Sequence, residues 1–95
     1  MIRHVVILKL DKNAPINTIK EKILQLSDFI DVIIHIEVGI DIKFDPASSD
    51  LCIIADFKDL KDLEIYAKHL KHLEVINNYI KPFLISSNVV DYEAF

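Results

Sequence analysis

The chain contains one glycine, one arginine, one cysteine and no tryptophan. Each scarcity removes a class of function. A loop that cradles phosphate needs several residues without a Cβ, so a lone glycine, Gly39, excludes it. A nucleic-acid surface needs a basic patch. Here 11 basic residues face 15 acidic ones, the net charge is −4, and the basic side chains are scattered. One cysteine, Cys52, cannot close an internal disulfide, and its run Leu51-Cys52-Ile53-Ile54 reads as buried apolar sequence. The expected compartment is a reducing cytoplasm. No stretch reaches the roughly 18–20 apolar residues of a membrane span, and the N-terminal apolar run is too short for a signal peptide.

What is present suits one small folded domain over residues 1–95. Apolar residues make up 52% of the chain and charged ones 27%, which is too apolar for a disordered chain. That apolar share is high for a fold with so large a surface relative to its volume, so part of it is expected to meet a partner.

Hydrophobic spacing gives the element order. Residues 2–10 read as a strand with Val and Ile on both faces. Pro15 suits the first turn of a helix at about 15–29, where Ile16, Ile19, Ile23, Leu26 and Ile30 form one stripe. Residues 32–43 alternate apolar and polar, which predicts a second strand. Mid-strand Gly39 predicts a bulge or a close backbone approach, with Gly39→Val costing on the order of 1–3 kcal/mol. A loop over 44–50 leads to a third strand at 51–58. Asp59 is placed to cap a helix at about 60–69. A short helical segment follows, ending near Pro82, and then a fourth strand at about 83–93.

The order is α+β: a ferredoxin-like β-α-β-β-α-(α)-β subunit with an antiparallel sheet. Its helices cover one sheet face. The first two strands carry apolar residues on both faces, so a second copy is expected to cover the other, giving a homodimer that closes a dimeric α/β barrel.

Several marks in order resemble the stress-responsive A/B barrel (Dabb) family. They are Arg3-His4-Val5-Val6-Ile7-Leu8-Lys9-Leu10, Glu37-Val38-Gly39, the pattern Phe57, Asp59, Leu63, Tyr66, His69, His72, and the ending Asp91-Tyr92. The likeness spans nearly the whole chain. It departs at Leu70, where the family often has proline. The resemblance implies the fold just described. It also implies, from one member that is a polyketide cyclase, metal-free and cofactor-free aldol closure of a linear thioester. By motif alignment that member's functional Tyr and His fall on Tyr66 and His72, and a further pocket His falls on His4. Other members resemble stress-associated oligomers without known chemistry. Haem-degrading relatives in the wider superfamily use a tryptophan, which this chain lacks.

The residue types suit the chemistry. A histidine exchanges protons near neutral pH, and a tyrosine hydroxyl can donate to an oxygen that gains charge. His72 and Tyr66 are therefore the candidate catalytic pair, and His4, Tyr66 and His72 the candidate ligand-binding set. Each also has a plainer reading: Tyr66 as a core aromatic, His72 as a polar residue at a helix junction, His4 as a buried structural histidine. His69 reads as a surface or dimer-edge residue, and His35 as a structural partner of Glu37. Six residues apart, Tyr66 and His72 would lie about 120° apart on one straight helix, so they converge only if the chain bends. No spacing matches a metal-ligand pattern, and no cofactor is expected. Two functions follow. One is a pocket for a small apolar or aromatic molecule, binding it or catalysing cyclisation or proton transfer. The other is a structural, stress-related homo-oligomer.

Overall fold

The computed structural model describes residues 1–94. Its elements run β1 (Ile2–Leu10), α1 (Ile16–Leu24), β2 (His35–Ile40), β3 (Leu51–Phe57), α2 (Leu60–Lys68), α3 (Leu70–Val75) and β4 (Leu84–Glu93). A 3₁₀ turn at Gln25–Asp28 extends α1, and a π-helical turn at Ile76–Ile80 extends α3. The sheet has the order β2-β3-β1-β4, and each of its pairings is antiparallel. This is the α+β ferredoxin-like arrangement that the hydrophobic spacing predicts.

Strand alternation sorts the core. Leu8 and Leu10 on β1, Val38 on β2, and Leu51, Ile53, Ala55 and Phe57 on β3 are buried toward the helices. Ile19 and Ile23 of α1, Leu26 and Ile30 beyond it, Tyr66 of α2 and Val75 of α3 close over them. Phe57, Ile19, Ile23 and Ile30 are the largest fully buried side chains. Burying each stabilises the fold by roughly 1.5–3 kcal/mol. Removing the Phe57 ring would cost about 3–5 kcal/mol, because the sheet cannot collapse into the space.

Among the described residues, no helix lies over the opposite sheet face. There Arg3, Val5 and Ile7 of β1 stand beside Asp56, Ile54 and Cys52 of β3, and Val90 and Tyr92 of β4 continue the row. Arg3 grips Asp56 through two hydrogen bonds, Nε to Oδ1 at 2.8 Å and a guanidinium NH2 to Oδ2 at 3.1 Å. That bond is the main cause holding the Asp56 carboxyl below the usual carboxylate range. β4 is an edge strand, exposed along its whole length.

Three expectations need correction. The second strand is shorter than 32–43: residues 32–34 precede it as a turn end and bend, although Ile34 N still donates to Asp56 O at 2.8 Å. At its other end Asp41 N donates to Asp50 O, and the Asp41 side chain accepts from Phe44 N, so the chain turns after Ile40. Phe44 takes a left-handed backbone with φ 56 to complete that turn. The helix expected to 29 is α-helical only to Leu24, then tightens to 3₁₀ geometry. Gly39 makes no bulge: the β2–β3 register is regular, and a Cβ there would meet nothing within 4 Å. Its side of the strand faces open space rather than a neighbouring backbone.

Candidate functional site

The site begins with a helix corner. Asp59 caps α2 by accepting from Asp62 N at 2.9 Å, as its sequence position suggests. α2 then ends at Lys68 and α3 begins at Leu70, with His69 alone between them in an extended backbone, φ −63 and ψ 137. Proline is not needed for this break. His69 N bonds back to Tyr66 O at 3.1 Å, and its side-chain Nδ1 accepts from Lys71 N at 3.0 Å, so one residue terminates α2 and caps α3. The expected surface histidine is a structural corner.

The corner removes the 120° separation. The Tyr66 and His72 rings lie 4.2 Å apart, centroid to centroid. Across the layer, the His4 ring meets Tyr66 edge-on at 6.1 Å, and Phe57 backs Tyr66 at 5.0 Å. His4, Tyr66 and His72 line one cavity of about 270 Å³ between sheet and helices. Its remaining wall is mainly apolar, with Val6, Ile23 and Ile80 among the contributors, and Ser87 of β4 adds a hydroxyl. This is the composition of a small-molecule pocket: apolar walls and a few converging polar groups.

Each polar group has a defined state. The His72 Nδ1 lies 3.0 Å from Ala67 O. A carbonyl only accepts, so Nδ1 carries the proton and Nε2 keeps its lone pair. Burial lowers the pKa of His72, and the nearby His4 and His69 add to the effect against the raising influence of the Ala67 bond. At neutral pH His72 is therefore an uncharged acceptor. Tyr66 is buried to 3% exposure, and burial pushes its hydroxyl up to about 12. It keeps its proton and serves as a donor. The His4 Nδ1 pairs with Asp91 Oδ1 at 2.5 Å, which fixes the ring.

Asp91 is the residue that sequence reasoning left without a role. Its signal lies in the pairing: β1 and β4 are antiparallel with His4 opposite Asp91, and that register becomes visible only once the strands are aligned. The other polar residues stand apart. His35 and Glu37 pair loosely at 3.8 Å and are both exposed. Cys52 lies on the sheet face away from the helices. Among the described residues, no three His, Cys, Asp or Glu side chains are arranged to hold a metal ion, and no helix is long and apolar enough to cross a membrane.

Residues 2–94 match the family model described as the stress responsive A/B barrel domain. The chain belongs to the Dabb family. Solved structures share its fold. A dimeric protein of unknown function and ferredoxin-like fold from Bacteroides fragilis is 30% identical, with a TM-score of 0.84 over 98% of this chain and 95% of that one. A Dabb family protein with a ferredoxin-like fold from Mesorhizobium loti is 20% identical, with a TM-score of 0.72 over 99% and 96%. A hydroxynitrile lyase from Passiflora edulis is 18% identical, with a TM-score of 0.82 over 99% and 95%. No protein with a curated description matches the sequence.

Proposed function

We propose that this Dabb protein binds a small, largely apolar carbonyl compound in the cavity between sheet and helices and moves a proton on it without a cofactor. One observation carries the reading: a protonated Tyr66 and a neutral His72 meet with ring centroids 4.2 Å apart, tilted by 41°, on the wall of an apolar cavity that His4 also lines. In that role His72 Nε2 takes a proton from the carbon beside the carbonyl. The Tyr66 hydroxyl donates to the oxygen as it gains charge, where a buried donor is worth more than in water. His4, held by Asp91, anchors a second polar atom. Where the substrate carries a second carbonyl within reach, the enolate carbon attacks it, a carbon–carbon bond closes the ring, and the proton held by His72 passes to the new alkoxide. The Passiflora hydroxynitrile lyase, which shares this fold, supports a reading of small-molecule chemistry.

Deuterium exchange tests this without knowledge of the natural substrate. In D₂O, the methyl protons of a bound aryl methyl ketone should exchange faster with the protein than in buffer. His72→Ala should lose that acceleration by roughly 10²-fold or more. A wild-type rate equal to buffer, with the ketone bound, would remove the catalytic reading.

The protein acts as a homodimer on this reading, in a reducing cytoplasmic setting that suits its single thiol. The support is the helix-free sheet face with Val5, Ile7, Ile54 and Val90, together with the dimeric Bacteroides relative. The same face supports the second reading, a stress-related structural oligomer without chemistry. Sedimentation at micromolar concentration should show two copies; a clean monomer over that range contradicts both.

A further inference from the structure

We propose that His69 is a pH-sensitive latch: neutral, it caps α3 and holds Tyr66 against His72; protonated, it lets the corner open. Nδ1 of His69 receives the Lys71 N–H at 3.0 Å. An imidazole accepts at Nδ1 only when neutral, with its proton on Nε2; the charged ring donates from both nitrogens. Protonation would therefore set an N–H against an N–H and place a positive charge at the positive end of a helix.

Among the described residues, the carboxylates around the corner are already engaged: Glu64 with Lys68, Glu74 with Lys71 and Asp91 with His4. The first turn of α3 has no acidic side chain. On the helices, Lys68 precedes the corner in partnership with Glu64, and Lys71 follows it with Glu74 nearby. From α1, Lys22 faces α3 across a shallow groove. From the sheet, β1 presents His4, whose nearest carboxylate, Asp91 of β4, is already engaged. The helix-facing residues of β2 and β3 — Ile36, Val38, Ile40, Leu51, Ile53, Ala55 and Phe57 — carry no charge. His72 itself sits three residues on.

The contrast with Asp59 sharpens the point. At the start of α2 the chain uses a carboxylate cap, which keeps its acceptor throughout the neutral range. At the start of α3 it uses an imidazole, whose Nδ1 stops accepting once the ring takes a second proton. The corner lies between the two residues whose rings meet, Tyr66 and His72, and the His72–Ala67 bond crosses it as well. Loss of the cap thus acts directly on the distance between Tyr66 and His72. The bearing of the latch on ligand binding rests on the proposed function; the latch itself needs no ligand.

Nuclear magnetic resonance of the whole protein tests it with two readouts, protection of the Lys71 amide from exchange and the Overhauser contact between the Tyr66 and His72 rings. In the wild type, Lys71 protection should fall about fivefold between about pH 7.5 and about pH 5, the loss of one cap. The ring contact should weaken in parallel. His69→Asp should keep both at the lower pH, and His69→Ala should show weak protection at both. Wild-type protection that is unchanged with pH overturns the latch. So does an equal loss in His69→Asp, which would move the cause to His4 or His72. A cavity that binds nothing would leave these results standing, and binding with a pH-independent corner would overturn the latch alone.

Discussion

His72 meets Tyr66 ring to ring at 4.2 Å only because a single extended residue, His69, separates the helices that carry them. The pair is thus a product of chain direction, and truncating either ring should report on the cavity more than on the fold. Tyr66→Phe removes one hydroxyl and should shift stability by at most about 1.5 kcal/mol. His72→Ala removes the Ala67 bond as well. Both variants should keep the wild-type circular dichroism spectrum while aryl ketone affinity drops. Equal affinity in both variants would separate these side chains from the cavity's ligand.

Burial lowers the pKa of His72, and the sign of the consequence follows. The unfolded chain takes up its proton near pH 6.5, but the native ring resists it until lower pH. Stability from this group is fully present above the unfolded value and is lost as pH falls through the window below it. Urea unfolding at about pH 7.5 and about pH 5.5 measures the drop. It should be smaller in His72→Asn than in the wild type. An equal drop would assign the pH dependence elsewhere.

Gly39 separates the single copy from the dimer. A Cβ there meets nothing within 4 Å of the copy's own atoms, so Gly39→Val should leave that copy's fold unharmed, with the better strand former offering a gain of up to about 1 kcal/mol. If a second copy covers this face, the new side chain instead enters the interface and weakens assembly. Sedimentation over a concentration series should show Gly39→Val dissociating at concentrations where the wild type stays paired. Unchanged pairing would place the contact away from Gly39.

Much of this architecture was legible because its elements bury one stripe each. Ile16, Ile19 and Ile23 announce a helix, and Leu51, Ile53, Ala55 and Phe57 a strand, since a single packed face sets both spacings. The alternation through Val32, Ile34 and Ile36 promised strand from 32, but pairing with β3 starts only at His35, and periodicity does not see a missing partner. Backbone freedom at Gly39 suggests a bulge, while its neighbourhood on an uncovered face decides the outcome. His69 was opaque because a histidine cap depends on one nitrogen's hydrogen bond, which no spacing records. Tyr66, His72 and His4 were nameable from the family resemblance alone; their meeting depends on the corner.

The His4–Asp91 pair predicts a split between stability and binding. It is partly solvent-exposed, so Asp91→Ala should cost no more than about 1 kcal/mol of stability. The His4 ring, no longer fixed, should bind ligand less well, and Asp91→Asn should recover part of that loss through its remaining oxygen. Calorimetric titration with an aryl ketone, alongside thermal melts, checks both halves. Loss of stability in step with binding would make the pair structural.

The central claim is that the cavity between His4, Tyr66 and His72 receives a small apolar carbonyl molecule. The most direct measurement is residue-resolved magnetic resonance during titration with aryl methyl ketones of increasing alkyl length. The account predicts saturable shifts concentrated on His4, Tyr66, His72, Ser87 and Val89, the lining of that cavity. Shifts that gather instead on Gly39 and Cys52 of the sheet's open face, or on Phe29 and Lys71 in the α1–α3 groove, with the cavity residues unmoved across the series, would contradict it.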